Sequence, residues 1–291
     1  MGFGARGKGF AVGVRLAGSD KVSQTPAIGD FDNIRIPCPV SCFSHGQPRS
    51  LTVKCFCMVP IPLTDHIRRR TFWAFTLLLI VTNFWAFFIE LSLGPHLNRF
   101  ILLNGLIPAR YSPPALFTLP ARLTVAPIFI SMFLHGGWLH LLGNMLFLFV
   151  FGRSIEDRFG HFPFLLLYLI SGVAAALVQI VVSPGSRVPT IGASGAIAGV
   201  LGAYFICYPG ARITTLIPLF IFFWTVQIPA ILLLGYWFLI QFVAGFQMLS
   251  IQTATAGGVA WWAHIGGFAC GALLALMMRP QHRGPVVEMV S

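Results

Sequence analysis

Gly192-Ala193-Ser194-Gly195-Ala196 opens an apolar run that continues to Tyr208, where Pro209-Gly210 follows. Pro and Gly directly after an apolar run mark the end of a helix, so the stretch predicts a helix from Ser194 to Tyr208. A serine between glycines is an unusual start for so apolar a helix, because a polar group in lipid needs a partner inside the protein. Ser194 is therefore the first candidate functional residue of the chain.

The composition is that of a polytopic membrane protein. Of the 291 residues, 56% are hydrophobic and only 9% are charged, and the mean hydropathy is +0.81. Soluble domains carry about 25% charged residues. The net charge of +11 comes from Lys and Arg that lie almost wholly between the apolar runs and in the N-terminal region. This distribution indicates a lipid bilayer with anionic headgroups as the partner and argues against nucleic acid.

Six apolar segments are long enough, or nearly so, to cross about 30 Å of hydrocarbon as helices. Their predicted ranges are 72–93, 137–151, 163–182, 194–208, 229–246 and about 259–278. The sequence therefore predicts an all-α membrane protein with six transmembrane helices. Six prolines between residues 94 and 135 exclude a long helix there, so this first loop is expected to be long and interfacial. Residues 213–226 are apolar but short and contain Pro218, which predicts a re-entrant or interfacial segment and no seventh span.

The N-terminal region differs from the membrane domain. Residues 1–57 are polar, rich in Gly, Pro and Ser, and show no amphipathic period, which predicts a disordered extension. Met58 is an alternative start, in which case the extension is not translated. Zinc binding is a further alternative, since His45 lies among four cysteines. They are Cys38, Cys42, Cys55 and Cys57. Residues 58–280 are expected to form the membrane domain, and residues 281–291 a short cytoplasmic tail.

Loop arginines predict the orientation, because cytoplasmic loops carry an excess of basic residues. The side that carries most of them has Arg68, Arg69, Arg70, Arg153, Arg158, Arg212, Arg279 and Arg283. Both termini lie on this side and are expected to be cytoplasmic. The same topology places four polar residues, His140, Asn144, Ser194 and His264, together in the outer half of the bilayer.

Ser194 and His264 fit the roles of nucleophile and general base. A serine hydroxyl is a poor nucleophile unless a neighbouring base accepts its proton, and a neutral histidine can do so. The start of the helix offers free backbone N–H groups, including that of Ser194, to a developing oxyanion. His140 and Asn144, spaced i, i+4 on one helix face, add side-chain donors. The combination predicts acyl transfer, in the form of peptide hydrolysis.

The acidic residues narrow the possible chemistries. None of the eight is expected in mid-membrane, and Glu90 stands alone near the outer end of the first span. No carboxylate is therefore available to turn the Ser194–His264 dyad into a triad. An aspartyl protease and a proton-coupled carrier would both need membrane carboxylates. The absence of HExxH excludes a zinc metalloprotease of that type, and no metal or cofactor is expected.

Other polar and small residues have a structural interpretation. Glycines of the fourth and sixth spans are expected to face each other and to bring the two backbones close together. They are Gly195, Gly199 and Gly202 on one side and Gly266, Gly267 and Gly271 on the other. His135 is expected to be solvated or interfacial, and His161 to be an ordinary loop residue.

Three motifs carry a family resemblance. They are His135-Gly-Gly-Trp-Leu-His-Leu-Leu-Gly-Asn144, Gly192-Ala-Ser-Gly195 and Ala263-His-Ile-Gly-Gly267. In this order, over roughly residues 60–280, they closely resemble the motifs of the rhomboid intramembrane serine proteases. The resemblance implies a rhomboid-like six-helix bundle and cleavage of single-span membrane proteins in or near their transmembrane segments.

The resemblance also assigns roles to individual residues. The nucleophile would be Ser194, the base His264, the oxyanion hole His140, Asn144 and the Ser194 backbone N–H, and the supporting glycines Gly192 and Gly195. The protein is expected in the plasma membrane of a bacterial-type cell. The oligomeric state stays open.

Two features depart from the family pattern. Some members carry an aromatic residue four positions after the serine, which supports the histidine ring, whereas this chain has Ala198. Support for His264 is then expected from elsewhere, with Trp261 and Tyr204 as candidates. The Trp-Arg pair that some members have in the first loop is missing from residues 94–135.

Two alternatives to an enzyme remain at this point. One is a non-catalytic rhomboid-like membrane protein that binds transmembrane helices. The other is a small-molecule channel or carrier in which the polar cluster lines a pore.

Overall fold

A computed structural model describes residues 60–219, 222–250 and 260–278. The helices are α1 (Ala74–Ser92), α2 (Leu97–Asn104), α3 (Ala115–Thr118), α4 (Ala121–Thr124), α5 (Ala126–Ile130), α6 (Trp138–Phe147), α7 (Arg153–Phe159), α8 (His161–Val182), α9 (Ser194–Cys207), α10 (Ala230–Ser250) and α11 (Trp261–Met277). The strands are β1 (Ile61–Asp65), β2 (Arg212–Leu219) and β3 (Phe222–Pro229). The predictions for residues 1–57, including the alternative start and the cysteine site, and those for residues 281–291 lie outside the described residues.

Four helical segments of the described chain are long and apolar enough to cross a membrane. They are Ala74–Ser92, Trp138–Phe159, His161–Val182 and Ala230–Gln247. The protein is therefore an integral membrane protein. Three further apolar helical segments of the described chain are shorter. They are Ala121–Phe133, α9 with 14 residues and α11 with 17 residues.

The second long helix extends beyond its predicted end at residue 151. A π-helical segment, Leu148–Gly152, joins α6 to α7, and the helix stops only at Gly160, whose φ of +86° favours glycine. Arg153 and Arg158 therefore lie within the helix, and the prediction that they form a loop is wrong. The polar residues of α7 are compatible with a helix because Glu156, fully buried, accepts hydrogen bonds from the start of α1.

Residues 213–219 and 222–226 are β-strand, so the expectation that this segment adds no seventh helical span is confirmed, although strands were not predicted there. They belong to a β-hairpin, in which β2 pairs antiparallel with β3, and β1 adds to the other edge of β2 to give the order β1-β2-β3. Burial alternates along this segment as expected for a strand, because Ile213 and Thr215 are fully buried while Thr214 between them is not. The prediction of an all-α protein is thus wrong in this detail, although the chain is mostly helical.

The connection between α1 and α6 contains only short helices. Its longest continuous helical stretch, Ala121–Phe133, is not among the segments long enough to cross a membrane, so the expectation that no long helix forms there is confirmed. The end of this connection is fixed by Glu90 of α1, whose carboxylate accepts the backbone N–H of His135 at 3.0 Å. His135 is 2% exposed, and the prediction that it is solvated is wrong.

The glycines of α9 and α11 bring these two helices into backbone contact. A Cβ added to Gly271 would lie 1.9 Å from the carbonyl oxygen of Gly199, and one added to Gly267 would lie 2.0 Å from that of Gly195. The equal spacing of the two pairs shows that α9 and α11 run parallel, so both begin at the same end. Gly266 differs from the prediction, because it faces Val178 of α8.

Candidate active site

The structure brings Ser194 and His264 together. Ser194 is the first residue of α9, and its Oγ lies 2.8 Å from Nε2 of His264 in the first turn of α11. His264 is 8% exposed. The close parallel packing of α9 and α11 makes this contact possible across seventy residues of sequence, since small residues allow the backbones to approach.

Gly192 shapes the turn that leads into α9. Its φ of +128° lies in a region that other residues rarely adopt, and its N–H donates to the carbonyl of Ser131 at 2.9 Å. A Cβ at this position would lie 2.8 Å from the ring of His140 and 3.6 Å from Oγ of Ser194. The absence of a side chain therefore lets the imidazole of His140 lie directly against the turn.

His140, Asn144, Ser194 and His264 all line one cavity of about 770 Å³, a size within the usual range of ligand pockets. Nδ2 of Asn144 is buried and has no hydrogen-bond partner in the described part of the chain. Nδ1 of His140 accepts the N–H of Gly136 at 3.4 Å. The cavity thus holds donors beside the first turn of α9, whose N–H groups have no acceptor within their own helix.

His135 lies behind His140 as an uncharged neighbour. The two ring centroids are 5.2 Å apart, and Nδ1 of His135 donates to the carbonyl of Phe133 at 3.2 Å. Burial, together with a smaller effect of the neighbouring His140, lowers the pKa of His135 to about 3. His135 therefore packs against the site as a neutral ring.

The opposite edge of the His264 ring contacts a residue that the sequence analysis missed. Oε1 of Gln241 in α10 lies 2.7 Å from Nδ1 of His264. Trp237, one turn earlier on the same helix, places its ring centroid 5.7 Å from that of His264. Both residues line the cavity. The available signal was a glutamine in an apolar span, spaced i, i+4 from a tryptophan, because polar side chains are costly in lipid.

The two residues expected to support His264 have different positions. Trp261 meets the ring edge-on, with centroids 6.4 Å apart. Tyr204 lies near the other end of α9, where its hydroxyl donates to Asp65 at 3.1 Å. The prediction for Tyr204 is wrong, because a residue ten positions after Ser194 lies about 15 Å further along the helix.

Comparison with known proteins gives the family of the chain. The family model described as the Rhomboid domain matches residues 122–281, which is more than half of the chain. The chain belongs to the rhomboid family. RHOMBOID-like protein 5 of Arabidopsis thaliana is 34% identical to this rhomboid over 157 residues, which cover 52% of the chain and 44% of the relative. Rhomboid protein 1, mitochondrial, of Saccharomyces cerevisiae is 33% identical over 153 residues, 49% of the chain and 39% of the relative.

A third relative is the mitochondrial presenilin-associated rhomboid-like protein of Bos taurus, with 34% identity over 105 residues, 35% of the chain and 28% of the relative. The chain thus matches less than half of the length of each of these proteins. They come from a plant, a yeast and cattle, and two are named mitochondrial, so they do not support the expected bacterial membrane.

Proposed function

We propose that this rhomboid is an intramembrane serine endopeptidase that hydrolyses peptide bonds in or near transmembrane segments of single-span membrane proteins. The observation that carries the proposal is the 2.8 Å contact between Oγ of Ser194 and Nε2 of His264. This distance is within hydrogen-bond reach, as proton transfer from a nucleophile to its base requires. The roles assigned to Ser194 and His264 follow from it.

In the first step, Oγ of Ser194 attacks the carbonyl carbon of the substrate peptide while Nε2 of His264 accepts the hydroxyl proton. The carbonyl oxygen becomes an oxyanion. The backbone N–H of Ser194, Nδ2 of Asn144 and the ring of His140 supply hydrogen bonds to it. Nδ2 of Asn144 supports this role, because it is a buried donor in the same cavity and has no acceptor among the described residues.

In the second step, the imidazolium of His264 gives its proton to the nitrogen of the leaving amine, and the C–N bond breaks. Water then enters the cavity, and His264 removes a proton from it as its oxygen attacks the ester carbonyl on Ser194. Breakdown of this second intermediate returns the proton to Oγ and releases the acid product. Neither step consumes a metal or cofactor.

The proposed arrangement in the membrane has six crossings, with α9 and α11 added to the four long helices and with both termini in the cytoplasm. With 14 residues, α9 spans about 21 Å, less than the roughly 30 Å of hydrocarbon. Its start at Ser194 would then lie below the outer membrane surface, in a recess that admits water. A bacterial plasma membrane remains part of this proposal.

Replacement of the proposed dyad tests the function. Ser194→Ala and His264→Ala, purified and reconstituted in liposomes, are expected to lose cleavage of a model single-span substrate while their thermal unfolding stays near that of the wild type. Ser171→Ala in α8 and His66→Ala in the loop after β1 are matched controls that should keep activity. Cleavage at the wild-type rate by Ser194→Ala would overturn the mechanism.

A serine-directed covalent probe separates the enzyme from a non-catalytic protein that binds transmembrane helices. The enzyme should be labelled at Ser194, and the labelling should disappear in His264→Ala, because the base is needed to activate the hydroxyl. A wild type that binds a transmembrane peptide but shows neither labelling nor cleavage would favour the binding protein.

A further inference from the structure

His264 has a partner on each ring nitrogen. Nε2 faces Oγ of Ser194 at 2.8 Å, and Nδ1 faces Oε1 of Gln241 at 2.7 Å. A neutral imidazole carries one hydrogen, and the partner of the second nitrogen decides which nitrogen bears it. The amide oxygen of Gln241 can only accept, so its contact with Nδ1 places the hydrogen there.

We propose that Gln241 is a positioning residue, which holds His264 in the tautomer and the ring orientation that leave Nε2 free to accept the proton of Ser194. The proposal rests on the function proposed above. An inverted amide would donate to Nδ1 and shift the hydrogen to Nε2, where it would prevent proton acceptance. The direction of this single hydrogen bond therefore decides whether His264 is a base toward Ser194.

The acidic residues in the described part of the chain make hydrogen bonds away from His264. Asp65 accepts from Tyr204 near the far end of α9, and Glu90 accepts the backbone N–H of His135. Glu156 and Asp157 accept from residues at and just before the start of α1. Within the described chain, a neutral amide thus stands where other serine hydrolases have a carboxylate.

Burial makes this contact persistent. Gln241 is 5% exposed and His264 is 8% exposed, so water competes little for either group. Trp237 packs against the ring from the same helix face, which restricts ring rotation about the side chain. Together, Trp237 and Gln241 supply from α10 the support that Ala198, with its single methyl group, does not offer from α9.

The amide of Gln241 orients the ring of His264 but carries no charge to stabilise its protonated form. A carboxylate stabilises the imidazolium that forms when the base accepts a proton, whereas an amide only directs it. Loss of Gln241 is therefore expected to lower kcat by about 10- to 100-fold, by analogy with the loss of a hydrogen-bond partner that orients a metal-bound histidine. KM should stay near the wild-type value, because the amide is directed at the ring.

Three variants test the proposal in full-chain protein reconstituted in liposomes with a single-span substrate. Gln241→Met keeps the size and removes the acceptor, so kcat should fall as stated. Gln241→Glu restores an acceptor, so part of kcat should return. Its carboxylate should also move the acid limb of the kcat/KM profile to higher pH, because a negative neighbour favours protonated His264. Gln179→Met in α8 is the matched control and should behave as the wild type.

A measurement independent of activity reports the tautomer. The ¹⁵N chemical shifts of histidine-labelled protein, assigned to His264 by comparison with His264→Ala, should show hydrogen on Nδ1 in the wild type. In Gln241→Met the two tautomers should mix. Wild-type protein with hydrogen on Nε2, or a folded Gln241→Met with wild-type kcat and pH profile, would overturn the proposal.

Failure of the proposed function gives a different result. In that case the wild type shows neither cleavage nor labelling of Ser194, while the tautomer measurement still reports whether Gln241 directs His264.

Discussion

At the scale of single residues, the site depends on two side chains that are present and one that is absent. Ser194 and His264 supply the groups in contact. Gly192 supplies space and a backbone conformation, and its effect passes through His140, whose ring occupies the volume that a Cβ would fill. Gly192, which carries no reactive group, is thus part of the geometry of the site.

Gly192→Ala is predicted to lower both the cleavage rate and the unfolding temperature. The methyl group would lie 2.8 Å from the ring of His140, and φ of +128° would be strained, a cost of about 1–3 kcal/mol. Cleavage rate and thermal unfolding are the measurements. Gly185→Ala is the control, because a Cβ there meets no atom within 4 Å. A Gly192→Ala protein with the rate and unfolding temperature of that control would contradict the prediction.

At the scale of secondary-structure elements, the decisive contact is the one between α9 and α11. The two helices touch through backbone atoms. A methyl group added at this contact would clash with the backbone, and no side chain could rotate away to make room for it. The hairpin of β2 and β3 shows the opposite situation. Its apolar residues along the chain fitted a short membrane segment equally well, and only pairing between strands identified it.

Gly271→Ala is predicted to separate α9 from α11. Its methyl group would lie 1.9 Å from the carbonyl oxygen of Gly199, and overpacking of this kind costs about 1–3 kcal/mol. The unfolding temperature in detergent and the rate of covalent labelling at Ser194 should both fall. Gly235→Ala in α10, where a Cβ meets one atom at 3.9 Å, should change neither. Unaltered labelling in Gly271→Ala would show that the dyad does not depend on this packing.

At the scale of the whole molecule, a buried polar network joins the N-terminal strand to the helices at the end of α9 remote from Ser194. Asp65 of β1 pairs with Arg69 and accepts hydrogen bonds from Ser154 of α7 at 2.5 Å and from Tyr204 of α9. Asp65 is 5% exposed. One carboxylate therefore joins three segments that are distant in sequence.

Asp65→Ala is predicted to lower the free energy of unfolding by about 2–4 kcal/mol, because it leaves buried donors without an acceptor. Activity well below the unfolding temperature should remain, since Tyr204 lies about 15 Å along the helix from Ser194. Thermal unfolding and cleavage at low temperature measure the two effects. Thr64→Ala is the control, because among the described residues its hydroxyl hydrogen-bonds to the carbonyl of its neighbour Asp65 and takes no part in the network. An Asp65→Ala protein as stable as the control would show that this network does not stabilise the fold.

The sequence by itself determined the class of the protein and most of the candidate site. Apolar length identified the four long helices that could cross a membrane. Polar residues in the apolar segments pointed to Ser194, His264, His140 and Asn144, because a polar group in lipid is costly without a role. Patterns along the chain could not identify the buried carboxylates of α7 or the sheet, since charge there resembles a loop and short apolar runs fit several structures.

Only the tertiary structure decided what His264 contacts. The 2.8 Å approach of Ser194 depends on glycines in two helices, and the partner on the other ring nitrogen, Gln241, comes from a third. Such contacts join segments that are distant in the chain. Local periodicity reports which face of a helix is apolar, but the neighbour on that face is set by packing in three dimensions.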